Sequence, residues 1–248
     1  MLWLNDYMEA FLWGILSAGS LLIGAFLALR FKFSQSAIGL VMAFGVGALI
    51  SSVSFELINE AFTAINGLTI IAIGVALGAL VYFFGDFLID KYGGRNHRKA
   101  ARGSGGSGAA ILLGTILDGI PESIVIGLSL AGGSPVSAAM VIAVFLSNLP
   151  ESIAASAGLL RSGWKKSTIM WLWTAVVLVS ALAAWIGSAV FADSSPTVRS
   201  FILSFAGGAI LTMLADSMMP EAYKDSGKAV GLVTALGFCV AFAVTTIE

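Results

Sequence analysis

The sequence predicts an all-α integral membrane protein of eight transmembrane helices, on three observations. Hydrophobic residues make up 58% of the 248 residues and charged residues only 11%, too few charges to coat a water-soluble globule. The apolar residues run in long stretches rich in Leu, Ala, Gly and Val. Barrel strands would alternate over about ten residues, so the stretches read as helices. Twelve of the 13 Lys and Arg residues gather at alternate span ends, the bias that orients membrane helices.

A crossing takes about 20 apolar residues, and eight stretches qualify: 9–30, 37–60, 66–89, 109–131, 136–160, 168–191, 198–220 and 229–247. Together they make one transmembrane domain spanning 1–248. The first has no basic lead and no small-residue cleavage site, so it reads as retained rather than as a signal peptide. The second carries Glu56 and Glu60, at i and i+4, near its outer end. The third ends on Asp86 and Asp90, the latter beside Lys91. The segment 90–108 holds Gly93-Gly94-Arg95-Asn96-His97 and a Gly/Ser run from Gly103, the composition of a flexible connector. The fourth and fifth spans carry the motifs below, and the sixth has no charged residue. Asp216 lies inside the seventh span and Glu221 just after it. The eighth contains the lone Cys239, which excludes an intrachain disulfide. The 29 glycines suit close helix packing, and the six tryptophans suit interfacial anchors and packing.

With the N-terminus outside, Arg30, Lys32, Lys91, Arg95, Arg98, Lys99, Arg102, Arg161, Lys165, Lys166, Lys224 and Lys228 all face the cytoplasm. Arg199 alone lies outside. This positive-inside bias predicts a multi-pass protein of the cytoplasmic membrane with both termini external.

Two phrases carry the chemistry: Asp118-Gly-Ile-Pro121-Glu122-Ser123 and Asn148-Leu-Pro150-Glu151-Ser152. Each sets a proline and a carboxylate deep in an apolar span. An acidic residue there costs roughly 2.5–3.5 kcal/mol on insertion scales, so such residues usually carry function. A mid-span proline leaves a carbonyl without its helical donor, which a polar cavity can use. The phrases fall on consecutive, antiparallel spans, the mark of an inverted repeat with a site at the midplane. At 1.5 Å per residue, Asp118 and Glu122 lie roughly 14–20 Å from their helix start, and Asn148 and Glu151 similarly. Asp118 and Glu122 share a face at i,i+4, as do Ser147 and Glu151. Buried carboxylates can also serve as structural hydrogen-bond acceptors, but recurrence of the Pro-Glu pair favours a cation site.

These residues resemble the ZIP family of zinc- and iron-type metal transporters. The two Pro-Glu phrases, the eight spans and the flexible loop after span three carry the resemblance, and Asp216-Ser-Met-Met-Pro220-Glu221 extends it into span seven. The resemblance implies a 3+2+3 arrangement with an inverted repeat, a metal site between spans four and five, and a homodimer. It further implies alternating access by a bundle of spans one, four, five and six sliding against the rest. Asp118 stands where the family's first phrase begins with His, and Ser147 and Asn148 stand where its second begins.

The expected ligands are therefore Asp118, Glu122, Asn148, Glu151 and Ser147, with Glu56, Glu60 and Asp216 on the path. This set of carboxylate, amide and hydroxyl oxygens suits Mn²⁺, Fe²⁺, Mg²⁺ or Ca²⁺ better than Zn²⁺, which favours nitrogen and sulfur but accepts carboxylates. Zinc stays in the set as the family's ion. The metal is the transported substrate; no bound cofactor is expected. The expected partners are the lipid bilayer and the divalent cation, with no nucleic acid. An alternative keeps the fold and changes the substrate, with the carboxylates carrying protons. A membrane-embedded sensor is a further alternative. An enzyme is not expected, since the spans hold no Ser/Lys, Ser/His or His-Glu-x-x-His set.

Overall fold

The computed structural model describes residues 2–92, 108–131, 136–191 and 193–247. Most of the predicted flexible connector, including His97, lies outside the described residues. Those described form eight helices and no strand. They are α1 (Leu2–Arg30), α2 (Gln35–Ile65), α3 (Leu68–Tyr92), α4 (Gly108–Ala131), α5 (Ala138–Arg161), α6 (Lys166–Phe191), α7 (Pro196–Ser226) and α8 (Ala229–Thr245). Seven contain segments long and apolar enough to cross a membrane; α8 is apolar but shorter. The chain is thus an all-α protein with the helices of a multi-pass membrane protein.

Local chemistry sets the helix ends. Ser34, Ser137 and Ser195 each accept a backbone N–H of the first turn, starting α2, α5 and α7, the usual role of an N-cap serine. Pro196 follows Ser195 at the helix start, where its missing N–H is harmless. α2 ends on Asn66 at φ 46° and α7 on Gly227 at φ 61°, left-handed residues that stop a helix.

Both α2 and α7 outrun their predicted spans, and both are broken by a π-helical turn, at Val53–Ile58 and Leu214–Met218. In α7 the turn ends two residues before Pro220, which cannot donate to the carbonyl four residues back, that of Asp216 within the turn. Such turns often mark functional positions. Here one carries Glu56 and the other Asp216.

These two helices correspond in further detail. Each begins after a serine cap, and each places a Phe carbonyl and then a glycine against a partner helix. A Cβ on Gly47 would meet the Thr234 carbonyl and one on Gly237 the Phe44 carbonyl; Gly208 meets Val75 and Gly78 meets Phe205 in the same way. The α2–α8 contact is thereby repeated by α7–α3. The glycines are required at these positions because backbone meets backbone, at 1.9–2.1 Å from where a Cβ would sit. Gly39 of α2 lies against Ala222 and Ser226 of α7, while Gly207 of α7 lies against Val53 and Ile58 of α2, so the two helices run antiparallel.

The remaining helices pack on one another and, through α4 and α5, on α2, α3, α7 and α8. α1 lies on α5 and α6, and α4 lies on α6. Trp173 of α6 is fully buried, and its indole N–H donates to Ser156 of α5 at 2.7 Å, so this tryptophan is a core residue rather than an interfacial anchor. α2 connects the two sets through α5, with Gly45 seated against the Ser147 backbone and the Leu146 carbonyl. Outward faces are apolar, as Leu80, Phe83, Phe84 and Phe87 on α3 illustrate. Lipid is the solvent such a face suits.

Candidate functional site

α4 and α5 each stay helical through their proline, which keeps the flanking polar residues in helical register. Glu122 is 1% exposed, and its Oε1 has no hydrogen-bond partner among the described residues. Glu151 and Asp118 are the charged groups that act on it. The structure therefore brings three of the sequence-predicted carboxylates into one electrostatic neighbourhood.

The other two carboxylates have donors. The Tyr82 hydroxyl of α3 donates to Asp118 Oδ1, and the Thr115 hydroxyl of α4 donates to Glu151 Oε1 at 3.0 Å. Ser147 and Asn148 are buried. The Ser147 hydroxyl donates to the Val144 carbonyl of its own helix at 2.9 Å, which leaves its oxygen able to accept or to ligate. Among the described residues, no three His, Cys, Asp or Glu side chains gather closely enough to enclose a metal ion.

Glu56 and Glu60 occupy a second region. They line a cavity of about 310 Å³ with Ser129 of α4, Ser137 and Met140 of α5, and Leu203 of α7. Glu56 is half-buried and accepts from the Thr245 hydroxyl of α8 at 2.9 Å. Glu60 pairs with Arg199 at 3.8 Å. The cavity and the buried carboxylates share helix faces. Val125 and Ser129 line the cavity, and they continue the stripe of Glu122 at i+3 and i+7. On α5, Met140 is followed seven residues later by Ser147, again on the same face.

Asp216 is exposed on the α7 π-turn and does not line this cavity. Glu221 is half-buried in the segment after Pro220. Asp86 is part-buried on α3, one turn beyond Tyr82.

Tyr82, Thr115 and Arg199 were not singled out as site residues by the sequence reading, although each left a trace there. Thr115 precedes Asp118 by three residues and shares its face. Tyr82 and Asp86 are a polar pair at i,i+4 in an otherwise apolar run. Arg199 is the one basic residue on the wrong side of the positive-inside pattern. The correspondence of α2 with α7 was also legible, in Phe44-x-x-Gly47-Ala48 and Phe205-x-x-Gly208-Ala209 and in Glu60-Ala61 and Glu221-Ala222. Comparison with protein-family models and with curated proteins finds no match for the chain.

Proposed function

We propose that this protein is a ZIP-like transporter carrying a divalent metal cation across the cytoplasmic membrane into the cell. The observation that carries the reading is Glu122, a carboxylate 1% exposed, with an unpartnered oxygen and two acidic neighbours. A buried carboxylate needs a compensating charge or donor, and a passing cation supplies one.

In this reading the cation collects at Glu56 and Glu60, moves along the shared faces of α4 and α5, and pauses at Glu122 and Glu151. Ser147, Asn148 and water complete its shell with neutral oxygens, and Asp118 lies within electrostatic range. Such a shell suits harder ions of the Mn²⁺ and Fe²⁺ kind and tolerates Zn²⁺. The antiparallel correspondence of α2 with α7, and of their glycine contacts to α8 and α3, supports a 3+2+3 inverted repeat. The packing of α1 on α5 and α6, and of α4 on α6, supports a bundle that slides against the rest.

Uptake of Mn²⁺ and Zn²⁺ into proteoliposomes tests the reading. Flux should be lost in Glu122→Ala and Glu151→Ala; flux unchanged in both would refute the assignment. The hydroxyl–carboxylate pairs Tyr82–Asp118 and Thr115–Glu151 also favour a second reading, in which these groups relay protons for a different solute. Calorimetric binding of several divalent metals to the purified protein would argue against that alternative.

A further inference from the structure

Arg199 joins three helices at the edge of the Glu56–Glu60 cavity. It sits in the first turns of α7, yet its guanidinium donates to the Leu128 carbonyl of α4 at 2.9 Å and approaches Glu60 of α2 at 3.8 Å. Leu128 lies in the last turn of α4, which ends at Ala131. A cation beside the C-terminal turn of a helix complements the helix dipole. Arg199 therefore caps α4 from another helix.

Two features make this contact conditional. The Glu60 side chain is 48% exposed against 17% for Arg199, so the ion pair is the weak, accessible half of the arrangement. Glu60 also faces a cavity that holds a second carboxylate, Glu56. A dication drawn to that pair would cancel its two negative charges and remove the attraction that holds the guanidinium. The corresponding position on α2, four residues after its cap Ser34, is the buried Ile38, so the corresponding start of α2 has no such guanidinium.

We propose that Arg199 is a positioning residue that holds the end of α4, and releases it when a divalent cation occupies Glu56 and Glu60. Because α4 carries Asp118 and Glu122, release couples cavity occupancy to movement of the buried site; this coupling rests on the transport reading above. Valence is then a selection step, since a monovalent ion leaves one negative charge on the pair to hold the guanidinium.

Hydrogen–deuterium exchange of the full chain in nanodiscs, read over residues 122–130 with Mn²⁺ as the probe, tests it without any flux. Arg199→Ala should speed exchange in the last turn of α4 about tenfold. Arg199→Lys, which keeps a charged donor, should recover part of the protection and serves as the milder variant if Arg199→Ala folds poorly. Glu60→Gln, which removes the ion pair but keeps the bond to Leu128, should speed exchange by less than Arg199→Ala does. Mn²⁺ should speed exchange in the unsubstituted protein and have little effect in Arg199→Ala or Glu60→Gln, a dependence that a purely structural contact would not give. Unchanged exchange in Arg199→Ala or Arg199→Lys overturns the cap, and a flat response to Mn²⁺ in the unsubstituted protein overturns its release. Failure of the transport reading would appear separately, as uptake indifferent to Glu122→Ala.

Discussion

Glu122 and Glu151 stand in the same local phrase, each after a proline and before a serine on a continuous helix, yet their surroundings differ. Glu122 is almost completely buried and keeps an unpartnered oxygen. Glu151 is half-buried and accepts the Thr115 hydroxyl. A repeated motif delivers two equivalent carboxylates to the interior of two apolar helices; the neighbouring helices then make them unequal. On the transport reading, the unsatisfied member is where a cation gains most, and the satisfied member is the one that can let it go.

The sharpest way to break this contrast is to remove each charge in turn. Glu122→Ala should lower Mn²⁺ uptake by at least about 100-fold, a loss of about 2.7 kcal/mol in transition-state terms. Glu122→Leu should nonetheless raise thermal stability, by about 1–3 kcal/mol, since a buried carboxyl with an unpartnered oxygen is replaced by packed hydrocarbon. Equal stability gains from Glu151→Leu, measured by thermal unfolding in detergent, would erase the distinction between the two. Next in size, Glu151→Gln should reduce uptake by about tenfold, or about 1.4 kcal/mol, mostly as weaker apparent affinity.

Smaller changes sharpen the picture around Asp118. Tyr82→Phe removes one interhelical hydrogen bond and should cost about 0.6–1.7 kcal/mol in stability, the range for such bonds in membranes. A shift in the metal dependence of uptake in the same variant would tie Tyr82 to the site rather than to packing alone. Asp216→Asn, at an exposed position, should change stability by less than about 0.5 kcal/mol. A large loss of uptake there would bring the α7 π-turn into the path alongside its α2 counterpart.

The sequence by itself determined the class of the molecule, because hydrocarbon forces backbone polar groups into helices and leaves long apolar runs as the visible consequence. It also located the two prolines and carboxylates, since charge inside such runs is conspicuous wherever it falls. Helix register alone places Asp118 with Glu122 and Ser147 with Glu151. What register along one helix cannot convey is which neighbour faces it. Tertiary packing alone decided that Tyr82 would reach Asp118, that Thr115 would reach Glu151 and leave Glu122 unsatisfied, and that Arg199 would cap α4 beside Glu60. Those outcomes depend on glycine-mediated approaches between helices distant in sequence, where a few ångströms of rotation select a different partner.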